Sequence, residues 1–440
     1  MLLRYTERRR KAPLARSLSA PSVAGTLDKV HRRLLLIDII AAIIVVGGIV
    51  AVVVVVLGRN KGPAPTPFPT AQIGQQAQPS PSATTGPAAL ALGNWPTYGY
   101  DDARTRYNPL IRLKPPYRTK WRYSAHQLLE FPPSIYGNDL YFCTQHGWVV
   151  ALRAGNGHRI WRHREPPGTL FASTPTVDAG SVYVTSLGGR FDVLSRKTGK
   201  REWGLSGIGR TESSPLVWRD RVFFGSEDGH VYAMSLKTHK LVWRFRTGGA
   251  VKAAPAELDG RIVVGAYDGA VYCLSYNGRL LWRRSTGGVL SSNQFYATAA
   301  LAYDTAYIGG TGGGIYAFDL HNGGLRWSYP TGGYVYSSPA VWRNMVFEGS
   351  YDNYFYALNA VTGHLVWRFY AGGHISGAPT VIHGIVYVSS FAQRTWGLNA
   401  RTGKVVWTYP DGKYSPVTAD RKTLYLNGYR TLYALTPVKR

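Results

Sequence analysis

The sequence predicts an all-β fold, an eight-bladed β-propeller of four-stranded blades closed by its N-terminal strand and preceded by one transmembrane helix. Three observations carry this. Tryptophan recurs at Trp121, Trp161, Trp203, Trp243, Trp282, Trp327, Trp367 and Trp407, at intervals of 40, 42, 40, 39, 45, 40 and 40 residues. Each interval repeats one phrase, as in Ser213 to Trp243 and Ser337 to Trp367, made of short alternating apolar runs bounded by Gly, Asp or Asn, the pattern of strand, turn, strand. An unbroken apolar run stands far upstream of the repeats.

In chain order, residues 1–33 form a basic segment with nine Arg or Lys against Glu7 and Asp28. Residues 34–57 are apolar apart from Asp38, long enough to cross a bilayer, which takes about 20 residues. The run is longer than a signal-peptide core and lacks a lipoprotein cysteine, so an uncleaved anchor is expected. Only Arg59 and Lys61 follow it before Arg104, and the positive-inside bias places the N-terminus in the cytoplasm and the rest of the chain outside. Asp38 lies one turn into the span, within reach of water; an intramembrane functional acid is the alternative. Residues 58–93 are rich in Pro, Ala, Gln and Ser, with Pro63, Pro65, Pro67 and Pro69 in alternation, a composition that favours a spacer over a packed unit. Fully extended, at about 3.1 Å per residue, it would reach roughly 100 Å.

Residues 94–440 hold the repeats. A phrase of the Val-Tyr-Ala-Leu type recurs with its second residue at Val150, Val193, Tyr232, Tyr272, Tyr316, Tyr356, Trp396 and Tyr433, and no Trp strand follows the last. One Trp strand, Thr119 to Ala125, precedes the first complete repeat. The spare strand at one end supplies the strand missing at the other, which closes eight blades and removes an open edge.

The repeat chemistry explains most of its residues as structure. Gly363 and Gly403 suit a left-handed turn position, and the Trp four residues on can bury its ring between blades. His239 replaces that Gly in one repeat, which predicts a less regular blade. The eight Trp are therefore expected to be docking residues.

These phrases resemble the pyrroloquinoline-quinone (PQQ)-like repeat propellers. ALNAVTGHLVW (357–367), GLNARTGKVVW (397–407) and VLSRKTGKREW (193–203) are similar to that family's Trp-docking phrase, and WPTYGYDDART (95–105) to its opening motif. The resemblance implies the propeller fold but not one function, because the family holds quinoprotein dehydrogenases and non-catalytic assembly propellers.

A dehydrogenase of this family would bring PQQ with calcium, an adjacent cysteine pair and a carboxylate-rich metal site. Here the two cysteines, Cys143 and Cys273, fall in different repeats at slots that elsewhere hold small residues, and are expected to be buried free thiols. No metal-ligand spacing appears, so no metal and no cofactor are expected. The run Gly309 to Gly314 leads into a strand phrase rather than a helix, which favours a turn over a phosphate loop.

Alignment on the Ser-Pro phrase exposes what the repeat leaves unexplained. Three residues before the Pro or its equivalent stand Glu130, Ala172, Glu212, Lys252, Tyr296, Tyr336, Ser376 and Lys413. If that strand is innermost, as the resemblance implies, these face the central channel, with Arg210, Gln294, Tyr334 and His374 nearer its mouth. Such a ring suits a polar ligand or peptide; a water-filled channel with self-paired charges is the alternative. An insertion, 287–295, would sit at the same face. Glu348 stands in a slot otherwise filled by Phe142, Val184, Phe224, Val264, Ile308, Val388 and Leu426, as either a functional acid or a structural ion pair. The candidate ligand set is thus Arg210, Glu212, Lys252, Tyr296, Tyr334, Tyr336, His374 and Glu348, with no catalytic residue assigned.

Charge points to partners. Residues 1–60 hold 10 basic and 3 acidic residues, which leaves 41 against 21, or +20, for 61–440. Arg122, Arg162, Arg244, Arg283 and Arg368 directly follow a blade Trp and should turn outward. Outside the cell such a face suits a protein or an anionic cell-envelope polymer and not nucleic acid, or it only aids solubility. The expected function is a tethered binding or scaffold module; the alternative is a PQQ-dependent dehydrogenase with an atypical site.

Overall fold

The computed structural model describes residues 94–286 and 293–438. The basic segment 1–33, the apolar run 34–57, the Pro-rich segment 58–93 and most of the 287–295 insertion lie outside the described residues. Among the described residues no helix is long and apolar enough to cross a membrane.

Among the described residues 32 strands form eight four-stranded antiparallel sheets. Blades 1 to 7 span 134–164, 176–206, 216–246, 256–285, 300–330, 340–370 and 380–409, each meandering from an inner strand to an outer one. Blade 8 takes three strands from 417–437 and its outermost, Tyr117–Ser124, from before blade 1. That closing strand runs antiparallel to Thr431–Pro437, with Trp121 opposite Ala434. The inner strands, such as Ser134–Tyr136 and Ala256–Leu258, follow the Ser-Pro phrase, so the expected order within each blade holds.

The blades join through two repeated devices. The first is the tryptophan. Trp121, Trp161, Trp243, Trp282, Trp327 and Trp367 each donate the indole N–H to a backbone carbonyl of the following blade, at 2.9 to 3.1 Å. Each ring lies over a turn glycine of that blade, as Trp327 over Gly363. The turn glycine therefore receives the Trp of the preceding blade, while the Trp four residues on docks on the blade after, as Trp367 does over Gly403. Two junctions differ. Trp203 meets His239 in place of the glycine and stacks flat on it, 4.5 Å apart at 6°. Trp407 packs edge-on against Tyr117 and Tyr387, because the strand from 117 replaces the usual turn there.

The second device explains the Ser of the Ser-Pro phrase. A residue before proline is held extended, and its hydroxyl, or that of Thr298 where Ala299 replaces the proline, accepts the N–H of the matching residue one blade back: Thr174 to Ser214, Ala254 to Thr298, Thr298 to Ser338 and Ala378 to Ser415. The links join four of the eight blade junctions, 2–3, 4–5, 5–6 and 7–8.

Elsewhere the register refines the sequence reading. In blade 2 it is Asp192, not Val193, that fills the slot of Tyr232 and Tyr272, since Asp192 pairs with Val184 as Tyr232 pairs with Phe224. Its buried carboxylate is held by Arg190 at 2.8 Å and by Arg201. Gly309 and Gly310 end one strand and Gly314 begins the next, so the glycine run is a hairpin. Cys143 and Cys273 are buried and free in blades 1 and 4, and burial pushes the Cys273 thiol up to about 12.

Candidate functional site

Residues 94–107 close one end of the channel, which sequence reasoning did not foresee. The Trp95 backbone bridges to Ile135 of blade 1. The carbonyls of Pro96, Asp102, Ala103, Thr105 and Arg106 then accept the N–H groups of Val177, Glu257, Leu301, Val341 and Val381, on the inner strands of blades 2, 4, 5, 6 and 7. Blade 3 is reached by a side chain: the buried Arg104 donates to the Pro215 carbonyl at 3.2 Å, to Pro255 of blade 4 at 3.0 Å, and to Thr97 Oγ1 and the Tyr98 carbonyl within its own segment. So tight a path needs left-handed backbone at Gly99, Tyr100, Arg104 and Arg106. A side chain on Gly99 would strike the Arg104 backbone, 3.0 Å away.

Above this plug the channel opens into a cavity of about 310 Å³. Tyr98 lines it from the plug, its hydroxyl 3.3 Å from Ser338 Oγ and its ring backed by the Arg106 guanidinium at 4.8 Å. Six of the eight residues placed three before the proline line the walls: Glu130, Glu212, Lys252, Tyr296, Tyr336 and Ser376. Period-two alternation puts them on the same face as the pre-proline Ser and Thr, two residues along.

One wall is ionic. Lys252 Nζ donates to Glu212 Oε1 at 2.7 Å and pairs with Glu227 at 3.2 Å; Tyr296 donates to Glu212 Oε2 at 2.9 Å; Arg210 joins from the rim, 3.4 Å from Glu227. Burial pulls the Lys252 ammonium down, but Glu212 and Glu227 outweigh it and the net shift is upward. Burial, then the charges of Glu212 and Glu130, hold the Tyr296 phenol well above its usual range. Glu130 has no hydrogen-bond or ion-pair partner among the described residues. Burial and the Glu212 charge push it up to about 7, against the pull of Lys413.

The opposite wall is aromatic. Tyr336 packs on Tyr351 at 4.9 Å, Tyr351 stacks on His374 at 4.8 Å and 7°, and Phe391 touches both Tyr351 and Tyr414. Lys413 caps the Phe391 ring at 4.6 Å. Tyr334, 56% exposed, extends the wall outward, 6.0 Å from Tyr336.

Seven of the eight sequence candidates thus gather at this mouth: Arg210, Glu212, Lys252 and Tyr296 in the ionic network, Tyr334, Tyr336 and His374 in the aromatic wall. Glu348 does not. It is fully buried on the second strand of blade 6, its Oε1 against Gly309 of blade 5, and a second strand faces the neighbouring blade rather than the channel. Neither an ion pair nor a hydrogen bond satisfies it; burial holds it well above its ordinary range, with Arg106 the opposing charge.

Sequence reasoning missed Tyr98, Tyr267, Tyr351 and Phe391. The last three share one slot, two residues past Gly265, Gly349 and Ser389. There the N–H bonds the residue five before the proline in the same blade, as Tyr351 to Tyr334 and Phe391 to His374. Alignment on the turn after the second strand, in addition to the Ser-Pro phrase, would have found them.

Among the described residues no three His, Cys, Asp or Glu side chains group closely enough to hold a metal ion. Arg122, Arg162, Arg244, Arg283 and Arg368 are all exposed on outer strands. Four of them lie over an aromatic ring of the adjacent strand: Tyr433, Trp148, Tyr272 and Tyr354.

Among solved structures, BamB from Moraxella catarrhalis superposes with a TM-score of 0.64 at 17% identity, over 73% of this chain and 100% of that one. The quinohemoprotein alcohol dehydrogenase of Comamonas testosteroni superposes with 0.68 at 14% identity, over 80% and 82%. At such identities the likeness is one of fold. A 1-butanol dehydrogenase (cytochrome c) from Thauera butanivorans is 32% identical over 128 residues, 26% of this chain and only 18% of that relative's length. A family model described as outer membrane protein assembly factor BamB matches residues 145–239, 206–336 and 331–437. Its three overlapping matches run through nearly all the blades, and the chain belongs to this PQQ-like, BamB-type β-propeller repeat family.

Proposed function

We propose that the chain is a binding and scaffold propeller that performs no chemistry, held outside the cytoplasm by the apolar run 34–57 on the spacer 58–93, with the channel mouth as its binding face. The observation that carries this reading is the concave channel mouth itself, where Lys252 bonds Glu212 and Glu227 and Tyr296 bonds Glu212 on one wall and Tyr336, Tyr351 and Phe391 form the other. The partner is a protein or an anionic cell-envelope polymer, met by the exposed Arg of the outer strands, and the mouth is a second, separate contact on the same scaffold.

The second reading is a PQQ-dependent dehydrogenase, supported by the 32% match to the butanol dehydrogenase segment. The cavity's donor set does not fit that cofactor. PQQ carries three carboxylates, whereas the walls present Glu130 and Glu212, and Lys252 is already neutralised. No step is derived through it.

Site-specific photo-cross-linking from position 334 on the full chain in its own membrane tests the choice. A discrete adduct that Tyr336→Ala weakens is the expected result. PQQ-dependent dye reduction by the same membranes, abolished with the chain, would overturn it.

A further inference from the structure

We propose that the channel mouth is a saccharide site that takes the end of a neutral glycan chain, one or two pyranose units deep. This rests on the binding reading above and names its ligand class. At about 310 Å³ the cavity lies at the small end of ligand sites, roughly 300–1,000 Å³, with room for a mono- or disaccharide and none for a folded segment.

The lining selects among ligand classes. An organic cation would seek the aromatic wall, but Lys413 already occupies the Phe391 face, and its charge would repel a second cation. A polyanion would meet Glu130 and Glu212, and Lys252 is spent on Glu212 and Glu227. A neutral polyol meets neither obstacle. A pyranose has apolar C–H faces, which pack on rings, and a rim of hydroxyls, which need several donors and acceptors at short range. The cavity supplies both. Tyr336, Tyr351 and Phe391 give an aromatic wall of mutually tilted rings, while the Ser376 hydroxyl and the unpartnered Glu130 carboxyl give polar groups in the same lining. Glu130 accepts from sugar hydroxyls when ionised and donates one bond when protonated, so it serves a polyol in either state.

The wall does not stop at the cavity. His374, stacked on Tyr351, and the exposed Tyr334 carry the ring surface out over the rim, where the next sugar of a chain would lie. An enclosed cavity continued by an open platform fits a chain end better than a free monosaccharide.

The test is calorimetric titration of the full chain, in detergent, with cellobiose, chitobiose and maltose and with their tetrasaccharides. Saturable binding of at least one series is expected, with Tyr351→Ala and Glu130→Gln each weakening it roughly tenfold or more. The tetrasaccharide should bind more tightly than the disaccharide, and Tyr334→Ala, at an exposed position that the fold does not need, should erase that gain alone. Equal affinity for both lengths would reduce the site to a free-sugar site and overturn the chain-end assignment. No binding in any series, or binding indifferent to all three variants, would overturn the saccharide class. If the position-334 cross-link still forms in that event, the binding reading stands and only its ligand is wrong; if quinone-dependent reduction replaces it, both fall.

Discussion

The indole N–H of Trp327 donates to the carbonyl of Ala360 in the next blade at 2.9 Å, and its ring covers the bare face of Gly363. This one contact contains the logic of the repeat. The indole buries a large apolar surface at a blade junction, and its polar edge is satisfied by a backbone carbonyl that also accepts from the Tyr307 hydroxyl at 3.0 Å. Trp327→Phe keeps most of the surface and removes one of the two hydrogen bonds to that carbonyl, with an expected cost of about 0.5–1.5 kcal/mol. Gly363→Ala is expected to cost more, about 2–3 kcal/mol, because the backbone is left-handed there and a Cβ would lie 2.7 Å from the ring. Urea unfolding of both variants checks the order, and a Gly363→Ala protein as stable as wild type would remove the docking account.

His239 offers the opposite experiment. It occupies the glycine position under Trp203, with φ of 57°, and replaces the hydrogen-bonded dock by a ring stack. His239→Gly would relieve a left-handed non-glycine residue, worth about 1 kcal/mol, and would lose an aromatic stack of about 0.5–1.5 kcal/mol. The two nearly cancel, so the unfolding midpoint should move little. A loss as large as that of Gly363→Ala would show that the stack, and not the turn, holds this junction.

These junctions also show what can be read from a sequence of this kind. Blade number and closure follow from the Trp period and the spare strand at Thr119 to Ala125, because a repeat must obey the same local rules each time. The mouth was legible in part, since residues that break a repeat, such as Lys252 and Tyr336, stand out against it. The plug was not. Residues 94–107 occur once, have no period, and draw their meaning from inner strands up to 275 positions away, as in the Arg106 to Val381 bond. Glu348 shows the converse error. Its slot was aligned correctly, but an alignment does not say whether a slot faces the channel or the neighbouring blade.

Burial of Glu348 without a partner gives a signed pH dependence. Its pKa in the folded protein lies above the ordinary carboxyl value, so the stability tied to it is complete below about 4.5 and falls as pH rises through the folded value. Glu130 has the same sign, with a window from 4.5 to about 7. Glu348→Leu, matching Leu426 in the equivalent slot, should therefore stabilise by about 1–3 kcal/mol at pH 8 and much less at pH 4. Thermal midpoints of wild type and variant across that range decide it. A gain independent of pH would mean that Glu348 relieves packing strain rather than a buried charge.

The last expectation concerns the plug. Arg104 carries a buried charge and four hydrogen bonds, two of which reach blades 3 and 4, and burial lowers its pKa to about 10 without making it neutral at physiological pH. Arg104→Ala would take the Arg104 donors from the Pro255 carbonyl and from the Pro215 carbonyl, which keeps the Thr176 hydroxyl at 2.6 Å, and would leave the acidic pair Asp101 and Asp102 without this adjacent cation. Loss of one member of a buried charged network costs about 3–5 kcal/mol. Arg244, exposed on an outer strand, is the control, with about 0.5 kcal/mol or less expected for Arg244→Ala. Because the plug bonds the inner strands of six blades directly, hydrogen exchange should accelerate at Val177, Glu257, Leu301, Val341 and Val381 together in the Arg104 variant. Acceleration confined to 94–107 would mean that the segment caps a ring already complete without it; acceleration around the whole ring would make residues 94–107 part of what closes the propeller.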